Sequence, residues 1–559
     1  MDLVQQLINL NFEGKYEQVI DTVQALSKEE RTPHIQVELG IAYFFKAMAF
    51  KDHQVYFKNE DGSLVCDKKG KPLEGFDVFI NSAENLFLEN CLMFKEDIRF
   101  HQFFGMTLDV QKKYSMAFIV YKKAMMMFKD KPLTTAEEKI KKNIAERYEI
   151  MTTAITYPDP QPTMAQKVQQ FWSEFVAKET DLRINLANSA SQEQHELAYK
   201  LMDQCLEALG FAVKYQIDEL DGIFTVHLSM DDKEYRVFAL HYLVNIMPVD
   251  SLPKWRFIIG FVPDYDKVGC LEGISFNSND LRVWVAKQQK ISSNMLILGV
   301  YCEKLADYLQ SPTLTHEQYE QAIKTLRDYC LSVIGELNYC TYVMDFRLLK
   351  SVEESSLLQN KEANVELIVD DMLFKDLADF KVLQMYGLEE IQDVKQHWVA
   401  CTTPYNSKEY CAEVQEPDLR DIEFALTLMP DLTVEFLNDY YKLSDEMVIE
   451  GCVPFEICFL RASFDSNVPT DALLQWLHNR ILGALQGTLP YQNQTIGSAL
   501  GTQFVYLNVL SFDFRATMEA LNKYFQQEKD PWIAVRVMRP DTRFITIKAL
   551  EKPGFSSKF

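Results

Sequence analysis

The chain has 559 residues, a formal net charge of −24 and a hydrophobic fraction of 47%. This length exceeds what one hydrophobic core supports, since a typical domain has about 150 residues, and it therefore predicts several domains. The charge argues against sequence-independent binding to nucleic acid or to an anionic membrane surface, because both need a basic protein surface. A basic protein partner suits an acidic surface, although such charge also simply keeps a protein soluble.

We expect a cytoplasmic protein without a metal or another cofactor. No apolar run reaches the roughly 18–20 residues of a membrane span, and the first residues lack the basic flank of a secretion signal. The eleven cysteines contain no CxxC pair and have no metal-type spacing to the nine histidines. Buried, reduced thiols are the simplest interpretation of these cysteines.

Residues 1–155 show the period of short amphipathic helices. Leu3, Leu7 and Leu10 share one helical face, and Gly14 then turns the chain into a second helix. Two such helices cannot bury their apolar stripes alone, so neighbouring helices must stack on them. The sequence therefore predicts an all-helical repeat domain.

Two stretches carry a glycine followed by small and aromatic residues at helical spacing: Leu39-Gly40 with Tyr43, and Phe104-Gly105 with Ala117, Tyr121 and Ala124. These spacings resemble the tetratricopeptide repeat (TPR), a 34-residue helical pair, although its tryptophan position is unmatched. The resemblance implies about three repeats and a groove that binds a peptide or a partner protein. It makes Tyr43, Phe104 and Tyr121 candidate binding residues. The alternative is that the helices only pack on the domains behind them.

An insertion and a linker delimit these repeats. Residues 54–74 predict a β-hairpin that turns at Asp61-Gly62, and its acidic turn lacks the ligand spacing of a calcium loop. Thr135-x-x-Glu138 predicts a capping box for a closing helix. Three prolines within residues 156–163 then predict a linker.

The remaining chain predicts two α+β units, residues 164–350 and 351–559, in which helices pack on mixed sheets. Asn294–Cys302 is a continuous apolar run typical of a central strand, and His316–Ile334 has the period of a helix. No glycine-rich phosphate loop lies between a predicted strand and the next helix, so nucleotide binding has no support.

The two units share one local order, in which a helix leads to a glycine and then to an aromatic strand. These strands are Gly335–Leu348 and Gly497–Phe514, and both segments contain an Asp-Phe pair near their ends. One interpretation is two similar half-domains with these strands in equivalent, central positions. The alternative is chance similarity between strands of common composition.

Three segments carry a further resemblance: Asn294–Leu305, Gly335-Glu336 and Ile496–Phe514. With the helical front end, they resemble an uncharacterised group of bacterial proteins in which TPR helices precede a large α/β region. The resemblance implies that fold and a bacterial setting. It implies no activity and no site residues.

The sequence contains no standard catalytic motif, and we assign no catalytic residue. Ser498 lies on a predicted turn before its strand, whereas a nucleophile elbow follows a strand. His227 alternates with apolar residues on a strand, and His241 starts an apolar helix face. Both positions are typical of hydrogen-bonded core or boundary histidines.

Three charged residues are candidates for a functional role: Glu336, Asp513 and Arg539. For Glu336, the alternative is a structural bond to an arginine or to a backbone amide. For Asp513 and Arg539, a structural salt bridge across a sheet is the simpler interpretation.

The sequence favours a non-catalytic adaptor that binds another protein. One version is an acidic, immunity-type or regulatory partner that neutralises a basic protein. The alternative is a hydrolase-like enzyme of unfamiliar geometry with its site in the α+β region, because catalytic groups are recognised in space. An adaptor needs a groove or an apolar patch on the helical domain, and an enzyme needs a deep pocket with converging polar groups.

Overall fold

The computed structural model describes most of the chain: residues 2–51, 55–58, 64–65, 72–128, 133–187, 192–229, 233–288, 296–358, 365–378, 399–402, 422–438, 441–460, 470–485, 488, 490–501, 504–527, 533–539 and 541–548. The chain forms two compact units. The helical unit comprises Met1–Asp159, Asp439–Ile449 and Val537–Phe544. The mixed unit comprises Pro160–Asn438, Glu450–Arg536 and Ile545–Phe559.

The helical unit is built from stacked helices: α1 (Leu3–Phe12), α2 (Tyr16–Gln24), α3 (Pro33–Phe50), α4 (Gly75–Asn90), α5 (Ile98–Val110), α6 (Tyr114–Met127), α7 (Thr135–Thr156) and, from a distant part of the chain, α16 (Lys442–Ile449). From α1 to α7, each helix packs on the next, and α1, α3, α5 and α7 also pack on one another in that order. Their apolar stripes are buried in two hydrophobic clusters.

The segment between α3 and α4 and the helix α7 partly follow the sequence predictions. In the described part of the insertion, Tyr56 bridges Glu74 and Lys58 bridges Leu64, both antiparallel, whereas the predicted turn at Asp61-Gly62 lies outside the described residues. The capping box of α7 lies one residue earlier than predicted. The Thr134 N–H donates to Glu137 at 2.9 Å, and the Glu137 N–H donates to the Thr134 hydroxyl at 3.3 Å. Two successive threonines and two successive glutamates make both spacings possible.

A carboxylate from α16 caps the N-terminus of α6. Asp445 accepts hydrogen bonds from the backbone N–H groups of Ser115, at 3.2 Å, and Met116, at 3.4 Å. Arg539 donates to the same carboxylate at 2.7 Å, and it also reaches the Ala154 carbonyl at 3.5 Å. Asp445 and Arg539 are 3% and 1% exposed. Burial lowers the pKa of Arg539. Three distant chain segments therefore meet at one buried ion pair.

The mixed unit combines helices with four sheets. Its helices are α8 (Met164–Ala187), α9 (Gln192–Leu206), α10 (Glu234–Asn245), α11 (Ala306–Leu309), α12 (His316–Ile334), α13 (Glu336–Tyr342), α14 (Phe374–Ala378), α15 (Pro430–Leu437), α17 (Thr470–Leu485) and α18 (Phe514–Gln527). Its first nine strands are β1 (Tyr215–Leu220), β2 (Ile223–Leu228), β3 (Trp255–Ile259), β4 (Gly269–Leu271), β5 (Ile274–Phe276), β6 (Leu281–Gln288), β7 (Leu296–Cys302), β8 (Val343–Leu348) and β9 (Val365–Leu373). The others are β10 (Val399–Thr402), β11 (Ile422–Thr427), β12 (Val453–Leu460), β13 (Asn493–Gly501), β14 (Phe504–Ser511), β15 (Ile533–Val537) and β16 (Ile545–Lys548).

The strands form sheets with the orders β1-β2-β3, β4-β5, β8-β7-β6-β9 and β10-β11-β13-β14-β12-β15-β16. The apolar run of β7 lies inside its sheet, as predicted. Helix α12 has the predicted bounds, with a capping box at Thr315 and a positive φ of 90° at Gly335. The predicted α+β class is confirmed. No helix in the described ranges is long and apolar enough to cross a membrane.

The two glycine-led segments differ from the prediction and from each other. After Gly335, helix α13 precedes the short strand β8, which lies at a sheet edge. Tyr339 and Tyr342 pack in the core from one face of α13, and this burial overrides their strand propensity. The predicted turn at Gly497 belongs to β13, which pairs with the interior strand β14 through a register shift beside Gly497. The expectation of equivalent central strands is therefore wrong.

Breaking the buried ion pair should destabilise the helical unit. We expect Arg539→Met to lower the free energy of unfolding by about 3–5 kcal/mol, because Asp445 would keep a buried charge without a countercharge. Urea denaturation measures the loss, and hydrogen exchange at Ser115 and Met116 locates it. The control is Asp541→Asn, which removes the half-exposed charge that pairs with Lys122, keeps a residue type that tolerates the positive φ of 52° at this position, and should cost less than about 1 kcal/mol. Equal losses in the two variants would contradict the structural role.

A second prediction concerns the contact of α5 with α6. A methyl group at Gly105 would overlap the Tyr121 ring, whereas one at Gly40 would lie 3.3 Å from Phe87. Gly105→Ala should therefore cost about 1–3 kcal/mol of unfolding free energy, despite the better helix propensity of alanine. Gly40→Ala is the matched control in α3 and should cost less. Thermal denaturation compares the two, and the reverse order would refute the close packing at Gly105.

Candidate protein-binding site

The aromatic residues singled out by the repeat pattern are mainly core residues. Tyr121 is fully buried and Phe104 is 5% exposed. Tyr43 is partly buried, with its ring 5.8 Å from that of Phe79 and its hydroxyl 3.4 Å from Gln24. The structure thus uses Phe104 and Tyr121 to hold helices together, and a partner must contact other side chains.

Glu336 forms the structural bond that was the alternative to a functional role. Its carboxylate accepts from the Ser229 hydroxyl at 2.6 Å and from the Phe261 N–H at 3.1 Å. The Glu336 N–H in turn donates to the Phe261 carbonyl at 3.0 Å. The residue is 4% exposed. Glu336 therefore holds the start of α13 against the segment that follows β3.

Asp513 and Arg539 have other partners than the sequence predicts. Asp513 accepts from the Ala516 N–H at 3.0 Å in the first turn of α18, while Arg539 pairs with Asp445. The prediction of a bridge between Asp513 and Arg539 is corrected, because a helix N-terminus binds the nearest carboxylate. His227 is 6% exposed and lies 3.2 Å from Asp218, as expected for a buried, hydrogen-bonded histidine.

A row of buried polar side chains runs across neighbouring strands of the seven-stranded sheet. It was not predicted from the sequence. Arg536 on β15 donates to Glu456 on β12 at 2.6 Å, and the Phe436 ring of α15 lies 5.1 Å from the guanidinium. Burial raises the pKa of Glu456, against the effect of Arg536. In register, Glu456 lies opposite Asn508 of β14, which lies opposite Gly497 of β13. Glu456, Asn508 and Arg536 are all buried in the sheet, so this row is not accessible from the surface.

The helical unit contains an open cleft of about 550 Å³. It lies where the N-terminal turns of α3, α5 and α7 meet the turn between α4 and α5. The start of each of these helices is defined locally: Pro33 opens α3, Asp97 caps α5 by accepting from the Phe100 N–H at 2.9 Å, and Thr134 caps α7. The cleft is therefore a consequence of how three separate helices begin.

Apolar side chains form part of the lining of this cleft. Met93 is 63% exposed, Phe94 is buried, and Ile140 contributes from α7. Next to Met93 in the chain, Leu92 is 86% exposed. Phe12 is 78% exposed, and its ring lies 5.5 Å from the guanidinium of Arg99, another residue of the cleft. Large apolar residues as exposed as Leu92 and Met93 are typical of a binding surface.

Charged side chains form most of the remaining lining. Glu96, Asp97 and Glu137 bring three carboxylates to the cleft, and His34 and Arg99 are its basic groups. Arg99 is already neutralised, because its guanidinium binds the buried Glu38 in a two-point contact with one distance of 3.0 Å. Asn11 donates to the same Glu38 carboxylate at 2.8 Å. Acidic groups thus outnumber basic groups in the cleft. Arg99 is held to α3 through Glu38, and Glu38 in turn is held to α1 through Asn11.

These cleft residues were not singled out from the sequence. The local signals were visible, since Asp97 precedes an apolar run and Thr134-x-x-Glu137 is a capping box. Only the packing of the helices brings the two signals together. The part of the chain that the structure describes holds no group of three or more His, Cys, Asp or Glu residues that could bind a metal. No protein-family model, curated protein or solved structure matches the chain.

The structural assignment of Glu336 leads to a prediction. Glu336→Leu should cost about 1–3 kcal/mol of unfolding free energy, because the Ser229 hydroxyl and the Phe261 N–H would lose a buried acceptor. Glu320→Leu, at an exposed position of α12, is the control and should change stability by less than about 0.5 kcal/mol. Urea denaturation provides the comparison. A Glu336→Leu protein as stable as the control would argue against the structural role.

Proposed function

We propose that this protein is a non-catalytic adaptor whose TPR-like helical unit binds a basic segment of another protein in the cleft at α3, α5 and α7. The observation that carries the proposal is that acidic residues and the strongly exposed Met93 line one open cleft. A partner segment with lysine or arginine beside a large apolar residue matches both kinds of lining residue. An immunity-type or regulatory role toward a basic protein is one form of this function.

Electrostatics supports this choice of partner. Glu96, Asp97 and Glu137 line a cleft whose arginine, Arg99, is held by Glu38, so carboxylates outnumber basic groups among the described lining residues. The net charge of −24 extends the same sign over the whole chain. Opposite charge accelerates encounter and suppresses acidic competitors. Binding should therefore weaken as salt increases.

Burial of the apolar lining residues against a partner supplies binding free energy that exposed ion pairs alone do not. Exposed ion pairs contribute only about 0–1 kcal/mol each. Full burial of one leucine- or phenylalanine-sized side chain contributes about 1.5–3 kcal/mol, and Met93 in the cleft, with Leu92 next to it in the chain, offers apolar surface for such a contact. A partner therefore needs a large apolar side chain for affinity and a basic side chain for charge complementarity.

The polar groups of the mixed unit support a catalytic function less well. Glu336, His227 and Ser229 are 4%, 6% and 6% exposed, and Glu456 is 1% exposed. A catalytic group has to reach a substrate, whereas these groups are enclosed and engaged in structural bonds. For this reason, we place the function in the cleft of the helical unit.

The experiment selects a random peptide library, displayed on phage, against the full-length protein. Enriched peptides should combine lysine or arginine with a large apolar residue. Fluorescence anisotropy with the labelled peptides then gives dissociation constants. We expect Glu96→Lys and Met93→Asp each to weaken binding about tenfold or more, which corresponds to about 1.4 kcal/mol.

Matched controls lie on α7, away from the cleft lining. Glu149→Lys makes the same charge change as Glu96→Lys, and Ile150→Asp, at a residue that is 49% exposed, matches Met93→Asp. Both control variants should bind with unchanged affinity. Peptides without basic residues, or peptides that bind Glu96→Lys and Glu149→Lys equally well, would overturn the proposed site.

A further inference from the structure

The methionine side chains of this protein differ sharply in their exposure. The chain has 21 methionines. Among those whose side chains the structure describes, Met93 and Met126 are exposed, at 63% and 60%, and the others are half-buried or buried. Met151, for example, is 1% exposed. The thioether of an exposed methionine is open to dissolved oxidants, which do not reach a buried one.

Met93 lies in the turn between α4 and α5, where a hydrogen-bonded backbone holds it at the cleft of the helical unit. Its N–H donates to the Asn90 carbonyl at 3.1 Å, and the N–H of Phe94 donates to the same carbonyl at 3.2 Å. Asn90 is itself fixed, because its side-chain amide donates to Gln36 at 2.9 Å. Phe94 is buried and anchors the turn in the hydrophobic core. The turn therefore presents the Met93 side chain at a defined place in the cleft.

Oxidation changes Met93 without changing the charge of the cleft. Hydrogen peroxide transfers one oxygen atom to a methionine sulfur: an S–O bond forms, the O–O bond breaks, and both peroxide hydrogens leave with the product water. The sulfur loses two electrons and the peroxide gains them. Methionine sulfoxide is polar but neutral, so Glu96, Asp97 and Glu137 keep their attraction for a basic segment. What the cleft loses is the apolar surface of Met93.

A sulfoxide at Met93 opposes contact with an apolar partner residue. Its oxygen is a hydrogen-bond acceptor, and burial of an acceptor without a donor is unfavourable. The carboxylates of the lining only accept hydrogen bonds. Of the two basic groups in the lining, Arg99 already binds Glu38, which leaves His34. A partner ammonium group that turned to the sulfoxide oxygen would have to leave its carboxylate.

We propose that Met93 is a site of reversible oxidation by peroxide, and that its sulfoxide weakens the binding of a basic segment in the cleft. This inference rests on the proposed function and adds a regulation that the function itself does not require. Methionine sulfoxide reductases reverse the reaction: two thiols give up their electrons and become a disulfide, and the sulfoxide oxygen leaves as water. The cleft therefore binds its partner more tightly in the reduced state than in the oxidised state.

The first test concerns the modification itself and needs no partner. The full-length protein is treated with hydrogen peroxide and then with dithiothreitol, which reverses disulfides and sulfenic acids but leaves methionine sulfoxide in place. This step removes the contribution of thiols such as the half-buried Cys91, two residues before Met93. Peptide mass spectrometry then gives the sulfoxide fraction at each methionine. Met93 and Met126 should both oxidise about tenfold faster than the buried Met151, or more, because a buried sulfur reacts only after local opening.

The second test concerns binding, measured by fluorescence anisotropy with the peptides enriched from the phage library. Each variant is compared before and after peroxide treatment, with its own untreated protein as the reference. The affinity of the wild type should fall about tenfold, and methionine sulfoxide reductases A and B should together restore it. The affinity of Met93→Leu should not change on oxidation. Met126→Leu is the matched control, since Met126 is the other exposed methionine and does not line the cleft, and it should respond like the wild type.

Each of three results contradicts this inference. The first is sulfoxide formation at Met93 that is no faster than at Met151. The second is an unchanged dissociation constant for wild-type protein that mass spectrometry shows to be oxidised at Met93 and circular dichroism shows to be folded. The third is an equal loss of affinity in oxidised Met93→Leu and oxidised wild type. The proposed function fails by a different result, because its test compares Glu96→Lys with Glu149→Lys in untreated protein. A selection that enriches no peptide counts against both.

Discussion

The helical unit depends on the ion pair between Asp445 and Arg539. Four backbone N–H groups at the start of a helix need acceptors, and the residue before α6 is Lys113, whose side chain provides none. Asp445 supplies the acceptor from 330 residues further along the chain, and Arg539 balances its charge in the buried site. A lone buried carboxylate would cost several kcal/mol. The unit is therefore complete only when the late segments of the chain have joined the early helices.

The same constraint separates the buried, paired acids from the acids at the cleft. Glu38, Asp445 and Glu456 are buried, and each binds an arginine, because a charge removed from water needs a countercharge. Glu96, by contrast, is exposed at the cleft, and Asp97 and Glu137 lie at helix N-termini, where the helix dipole favours an acid. The acidic character of the cleft thus follows largely from helix capping, and the proposed binding of a basic segment requires no additional buried charge.

The proposed cleft selects a partner by composition, because apolar and acidic side chains line it together. Glu336 has a different role, because its carboxylate and its backbone N–H both bond to Phe261 and so hold the start of α13 in place. The first kind of acid is exposed where a helix begins, and the second is buried where two segments of the mixed unit join.

The sequence by itself determined the local elements, because helix period, caps and apolar runs act between near neighbours. It located α12 and β7, the α+β class and a capping box within one residue of Thr134. Only the tertiary structure decided which charges meet, since Arg539 had nearby acids in the sequence but binds Asp445. It also decided that β8 is an edge strand, that Phe104 and Tyr121 are core residues, and that the caps of α5 and α7 share one cleft. These outcomes depend on packing between distant segments, and local propensity carries no information about such packing.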